Sequence, residues 1–285
     1  MKHSKNTFSF CNQKGGVGKT TSAINLASGI SQLGHKVLLI DIDPQANTTS
    51  GLGIEKSKEL KTVYQVLIGD VSIDGAVMST QIENLSLIPS NSDLSGAEIE
   101  LISLYGREFK LANAITEAGE SFDFDYIFID CPPSLGLLTV NALTASDYIL
   151  IPLQCEYYAL EGLSQLLQTH SLVKKNLNPR LEIGAVLLTM ADARTRLTEQ
   201  VIAEVRTHFK EKVFETVIPR SVKLSEAPSF GQPGIFYDKT SRGAKSYIDA
   251  RDEFLKKFPR SKKDREEKRE ESITEESVAT RGESE

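Results

Sequence analysis

The 285-residue sequence predicts an α/β fold: a doubly wound, mostly parallel sheet flanked by helices. Three observations carry that expectation. Short apolar runs alternate with stretches of helical periodicity from residue 7 to about residue 258. The run 126–129 is apolar throughout, as a strand covered on both faces should be. Gln13, Asp41, Asp130 and Thr189 each fall at or just beyond the end of a candidate strand, where open sheets of this kind bind ligands.

In chain order, a first strand over 7–11 enters a glycine-rich loop. Ala23, Ile24, Leu26, Ala27, Ile30 and Leu33 then recur at helical spacing, which predicts a helix over 20–33. Strands follow at 37–40 and 85–88, and helices at 97–104 and 107–118. Beyond the strand 126–129 come a helix over 137–145, a strand over 148–151 and a helix over 159–177. The strand 183–188, the helix 195–209, a further strand 213–218 and a closing helix 241–258 complete the domain, which we place at 1–258. Residues 260–285 are charged, rich in Ser and Thr and almost free of apolar side chains, so 259–285 is expected to be a disordered tail.

The chain is 40% hydrophobic and 25% charged, the balance of an ordinary globular protein able to bury a large core. No apolar run approaches a membrane span, so no membrane partner and a cytoplasmic location are expected. Cys11, Cys131 and Cys155 lie singly in apolar surroundings, which points to buried packing rather than disulfides or a metal cluster. The net charge of −6 is unevenly spread: residues 190–258 hold thirteen Lys/Arg against ten Asp/Glu, a weakly basic region in an acidic chain.

The strongest chemical signal is Lys14-Gly-Gly-Val-Gly-Lys-Thr-Thr21 between the first strand and the first helix. Gly15, Gly16 and Gly18 allow backbone conformations that a Cβ forbids, so the N–H groups of the loop, Val17 included, can close on an anion. The helix N-terminus behind them adds its partial positive charge. Lys19 is placed to contact the β- and γ-phosphates of a nucleotide, the Thr20 hydroxyl to coordinate Mg²⁺, and Thr21 to donate to a further phosphate oxygen. The ordinary pattern of such loops asks for glycine at position 13, which is Gln here, and has no counterpart of Lys14.

Two acidic segments complete the candidate site. In Asp41-Ile-Asp-Pro-Gln-Ala-Asn47 the two aspartates share one face of an extended segment. Asp43 can orient and partly deprotonate an attacking water, while Asp41 supports a Mg²⁺ shell through water; alone, the pair could equally be strand-end turn residues. In Phe124-Asp-Tyr-Ile-Phe-Ile-Asp-Cys-Pro-Pro-Ser134, Asp130 emerges at the end of a buried strand, placed to hold Mg²⁺.

The loop with its extra lysine resembles the deviant Walker A loop of the ParA/MinD superfamily of dimerising ATPases, a branch of the P-loop NTPases. The resemblance implies ATP and Mg²⁺ as cofactors, Lys14 reaching the nucleotide of a partner subunit, Asp43 as the hydrolysis residue and the Asp130 segment as Walker B. Val217-Ile-Pro-Arg-Ser-Val-Lys-Leu-Ser-Glu-Ala-Pro-Ser-Phe-Gly231 is similar to the segment that borders the adenine pocket, which places Pro219 beside the base.

MinD-type members carry a C-terminal amphipathic helix for membrane docking, and the tail here lacks the apolar face. Cluster carriers need cysteine ligands that this chain does not pair, and autorepressing plasmid relatives carry a helix-turn-helix segment where this chain has six residues. The sequence therefore most resembles the short chromosomal ParA, or Soj, type. That implies a nucleoid-associated, ATP-dependent homodimer that binds double-stranded DNA without sequence preference and is activated by a ParB-type partner, for chromosome or plasmid segregation. Arg194 and Lys223 match its DNA-binding basic positions, Lys223 standing where arginine is common. Arg196 and Arg220, with Lys239 and Arg242, extend the patch. A different use of the same switch, as a non-DNA positioning or regulatory ATPase, stays open.

Overall fold

The computed structural model describes residues 6–119, 122–156, 161–192 and 194–260. The elements run β1 (Thr7–Phe10), α1 (Lys19–Ser31), β2 (Val37–Asp41), α2 (Asn47–Gly51), α3 (Val63–Ile68), α4 (Ile73–Ala76), β3 (Met78–Ser79), β4 (Leu85–Ile88), α5 (Leu94–Ile102) and α6 (Lys110–Glu117). They continue β5 (Tyr126–Asp130), α7 (Leu137–Ala145), β6 (Tyr148–Gln154), α8 (Glu161–Asn176), β7 (Glu182–Ala191), α9 (Arg196–Phe209), β8 (Val213–Pro219), α10 (Val222–Glu226), α11 (Gly234–Tyr237) and α12 (Arg242–Lys257). The chain divides into two units, Met1–Glu253 and Phe254–Glu285, the second described only over 254–260. The predicted tail, from residue 261, and the first two residues of the helix predicted at 159–177 lie outside the described residues.

Eight strands form one sheet in the order β3-β4-β2-β5-β1-β6-β7-β8. Every neighbouring pair is parallel except β3 with β4. This is the doubly wound sheet expected from the sequence. From β1 the chain first winds towards β2 and β4, returns through β5, and then crosses to β6, β7 and β8 on the other side. The winding thus reverses at β1, and the loop leaving β1 sits where such sheets place their ligands.

β1, β2 and β5 are buried along their whole lengths, which explains their unbroken apolar character. On one face Phe8 and Phe10 pack edge-on against Phe128, with centroids 5.7 and 5.1 Å away. On that same side α1 contacts β1 and β5, and the Ser22 hydroxyl meets that of Tyr247 on α12 at 2.9 Å. Leu38, Ile40, Ile127, Ile129, Ile149 and Ile151 point into a second, aliphatic layer that also takes in Leu138 and Leu143 of α7.

All seven predicted strands are present; 85–88 has the predicted bounds and the others have one or both ends shifted. β6 runs three residues past the predicted end at 151 and includes Pro152. The missing N–H is harmless there because β1, paired with β6 only as far as Phe10–Leu150, has already ended, and the Pro152 carbonyl accepts from Asn12 Nδ2 at 2.8 Å. The two-residue edge strand β3 and the short helices α2, α3, α4, α10 and α11 were not predicted. Such elements are too short to show a hydrophobic period, although α3 does begin at a reciprocal capping box between Thr62 and Gln65.

Candidate nucleotide site

The phosphate loop is shaped by its backbone. Gly16 and Gly18 hold φ of +74° and +86°, in the left-handed region. A Cβ at Gly15 or Gly16 would meet nothing within 4 Å, so what these glycines preserve is backbone approach from outside, not internal packing. Gly18 begins α1 with neither a side-chain cap nor an acidic residue in the first turn, so no side chain of the helix itself offsets its positive end. The loop is held from below. Thr189 Oγ1 donates to the Val17 carbonyl at 2.8 Å, and Asn12 Oδ1 accepts from the Lys14 N–H at 3.0 Å. Lys19, only 6% exposed, curls back so that Nζ lies 3.4 Å from the Lys14 carbonyl. Thr21 is half-buried at the next position of the helix.

Beneath the loop, Asp41 and Asp130 stand in register at the ends of β2 and β5, both fully buried. Asp41 Oδ2 accepts from the Thr49 N–H at 2.9 Å and hydroxyl at 2.7 Å, and Oδ1 from the Asp43 N–H at 3.2 Å. Asp130 Oδ2 accepts from Thr20 Oγ1 and Thr48 Oγ1, both at 2.7 Å. Its other oxygen, Oδ1, is buried with no hydrogen-bond partner among the described residues. Burial, then repulsion from Asp130, pushes Asp41 up to about 7. Burial pushes Asp130 up to about 6 against the two threonine hydroxyls and the Lys19 charge.

Lys19 is the cation that acts on Asp130, and it does not offset the cost of burying that carboxylate. The donor set suits a small hard cation: a threonine hydroxyl and one uncommitted carboxylate oxygen, with phosphates and waters supplying the rest. Among the described residues no group of three or more His, Cys, Asp or Glu could hold a metal by itself.

Asp43 lies 6% exposed at the start of the turn set by Pro44, its Oδ1 accepting from the Gln45 N–H at 2.9 Å. Ser90 ties this turn down, donating its hydroxyl to the Asp43 carbonyl at 2.8 Å and its N–H to Thr49 Oγ1 at 3.0 Å. Thr48, Thr49 and Ser90 were missed in the sequence. The first two follow an Asp-x-Asp segment by a few residues, a pattern that could have flagged hydroxyls returning to the strand end. Lys14 points away from the loop's interior and pairs with Glu156 at 2.8 Å, both side chains partly exposed. Glu156, two residues past the end of β6, was also missed.

The predicted basic residues gather at the carboxyl ends of β7 and β8. These strands are paired at Ala191 and Pro219, and the Arg220 N–H donates to the Ala191 carbonyl at 3.0 Å. Arg194, 88% exposed, grips Asp192 through Nε at 2.8 Å and a terminal nitrogen at 2.6 Å, which holds the Asp192 carboxyl far below the usual range. Arg196 is exposed at the start of α9, and Arg220 reaches to 3.9 Å from Glu156, the carboxylate that also holds Lys14. Lys223 pairs with Glu226 at 3.0 Å and lies 5.7 Å from the Tyr237 ring centre. Pro219 ends β8, half-buried. The three cysteines are buried free thiols, as expected, with Cys11 and Cys131 sulfurs 3.1 Å apart.

A reversing parallel sheet with a glycine-shaped anion loop over two buried aspartates is the architecture of a P-loop nucleotide-binding protein. Comparison with known proteins narrows it. A family model described as an AAA domain matches residues 5–183. The chain is 58% identical over 238 residues to the sporulation initiation inhibitor protein Soj of Bacillus subtilis, covering 84% of this chain and 93% of that protein. It is 52% identical over 246 residues to the chromosome partitioning protein ParA of Myxococcus xanthus, 86% of each chain. Among solved structures, a cobyrinic acid a,c-diamide synthase from Mycobacterium smegmatis with bound ATP analog and magnesium is 37% identical, with a TM-score of 0.76 over 88% of this chain and 94% of that one. The chain belongs to the ParA/Soj family of chromosome-partitioning ATPases, as its loop and acidic segments led us to expect.

Proposed function

We propose that this protein is an ATP-driven dimerisation switch that binds double-stranded DNA without sequence preference and, with a ParB-type partner, drives or positions chromosome or plasmid segregation on the nucleoid. The observation that carries the reading is the position of Glu156. One carboxylate receives the loop lysine, Lys14, and lies beside Arg220 of the basic edge, so nucleotide loop and candidate DNA surface adjoin.

In this reading the N–H groups of residues 15–18 and the start of α1 bind the phosphates, and Lys19 and Thr21 neutralise and orient them. Thr20 and Asp130 hold Mg²⁺, which supplies positive charge to the phosphate oxygens when bound; Asp41 supports that shell through water. Pro219 flanks the base. Asp43 accepts a proton from the water that attacks the γ-phosphorus, and the bond to the bridging oxygen breaks to leave ADP and phosphate. Lys14 crosses to a partner's nucleotide, which makes the dimer conditional on the γ-phosphate. Dimerisation sets two copies of Arg194, Arg196, Arg220 and Lys223 against one duplex, so affinity and its salt dependence rise together. No helix among the described residues is long and apolar enough to cross a membrane.

Titration of duplex DNA with ATP, with ADP and without nucleotide tests the proposal. Binding that needs ATP, ignores sequence and weakens steeply with salt is expected. No DNA binding in any state, with ATP-dependent dimerisation intact, would favour a non-DNA positioning ATPase.

A further inference from the structure

Asp130 receives two hydroxyls on one oxygen and none on the other. The first donor, Thr20, belongs to the phosphate loop's own helix. The second, Thr48, comes from α2, outside the phosphate loop. Both Thr48 and Asp130 are 0% exposed, so their bond is made without competition from water.

α2 does not form for its own sake. It is five residues long, Asn47–Gly51, and opens at Ala46, whose φ of +52° is unusual for a residue with a Cβ; no side chain caps it. What fixes it are three hydrogen bonds into the strand ends, from the Thr48 hydroxyl to Asp130 and from the Thr49 N–H and hydroxyl to Asp41. The Thr48 hydroxyl therefore faces the carboxylate and not its own helix.

Resting on the nucleotide reading above, we propose that Thr48 is a positioning residue for Mg²⁺: with Thr20 it fixes the plane of the Asp130 carboxylate and leaves Oδ1 free for the hydrated ion. With one donor removed, the carboxylate can rotate and share Oδ2 with the ion's waters, and the geometry is lost. Outer partners of metal-site ligands typically change metal affinity by about 10- to 100-fold, and Thr48 belongs at the lower end because Thr20 remains.

The test uses the full chain as wild type, Thr48→Val, Thr48→Ala and Thr48→Ser, with a fluorescent ATP analogue titrated in EDTA and Mg²⁺ titrated at fixed ATP. Valine keeps the shape without the hydroxyl, alanine guards against a valine variant that fails to fold, and serine restores the hydroxyl. Expected are an approximately tenfold rise in the Mg²⁺ concentration for half-saturation in whichever hydroxyl-free variant folds, near-wild-type behaviour in serine, and nucleotide affinity in EDTA within about twofold. Unchanged Mg²⁺ dependence in the hydroxyl-free variants would overturn the assignment. So would a loss of nucleotide affinity equal in EDTA and Mg²⁺, since that is what a purely structural threonine would cause. If the wild-type chain itself bound nucleotide without any Mg²⁺ effect, the metal-site reading would fail instead.

Discussion

Glu156→Gln removes the charge that holds Lys14 at 2.8 Å in the single subunit, and the structure sets how much that should matter. The two side chains are 39% and 46% exposed, so solvent screens the pair. Such pairs contribute about 0.2–1 kcal/mol, which translates to at most a fivefold change in an equilibrium. Lys14 can therefore leave Glu156 at little cost; because a dimer releases one such pair in each subunit, about 0.4–2 kcal/mol in all, Glu156→Gln should tighten ATP-dependent dimerisation by up to about thirtyfold. Lys14→Ala should act differently. It removes a charge-assisted contact of about 1.5–3 kcal/mol from each of two subunits, and so should weaken the dimer by two to four orders of magnitude, on the order of 3–6 kcal/mol. Sedimentation velocity across a protein dilution series, with a non-hydrolysable ATP analogue, reads both. A Glu156→Gln effect of about a hundredfold or more would show that the pair is no weak surface contact, and normal dimerisation of Lys14→Ala would remove the cross-subunit lysine altogether.

Arg194→Glu, at a side chain 88% exposed, should abolish DNA binding at moderate salt and leave nucleotide affinity intact; unchanged DNA affinity by fluorescence anisotropy would take the residue out of the interface. Asp41 titrates at about 7 when folded against 3.8 in the reference state, so it favours folding below about pH 4, and that contribution fades as pH rises through 7. Urea midpoints of the metal-free protein should accordingly fall between pH 6 and 8, and Asp41→Asn should flatten that slope; a midpoint rising over this range contradicts the burial argument. Gly231 holds φ of +63°, and a Cβ there would lie 2.6 Å from Gly53 Cα, whereas Gly34 at φ +84° has open space. Gly34→Ala should cost about 1–2 kcal/mol for the left-handed conformation alone, and Gly231→Ala clearly more, seen as a larger fall in melting temperature. Equal shifts would mean that the two backbones separate easily. Burial pushes the Cys155 thiol up to about 11, so native-state alkylation at pH 8 should be far slower than in denaturant; rapid native labelling would show the end of β6 opening to solvent.

Much of the site was legible because it is local. The loop over residues 14–21 takes its shape from backbone conformations that favour glycine at 16 and 18, and its neighbours in sequence are its neighbours in space. Asp41 and Asp130 were readable because each closes an apolar strand, and Asp43 because it follows Asp41 by two residues, in a sheet that binds ligands at that edge. Thr48, Thr49, Ser90 and Glu156 were not, since each acts on a partner brought near only by folding: Thr48 on Asp130, 82 positions away, and Glu156 on Lys14, 142 away. The same holds for α2, whose five residues have no helical period and are held by carboxylates of the sheet.

By itself the sequence determined the parallel sheet, the phosphate loop, the acidic strand ends and the family, since periodicity and short-range spacing are properties of the chain. Only the tertiary structure decided that Asp130 keeps one oxygen uncommitted, that Asp41 accepts three hydrogen bonds from the segment after it, and that Lys14 and Arg220 adjoin one glutamate. Those facts depend on which donors and charges converge from distant segments into a dry interior or a shared edge, and burial sets their energies only once the strands have paired.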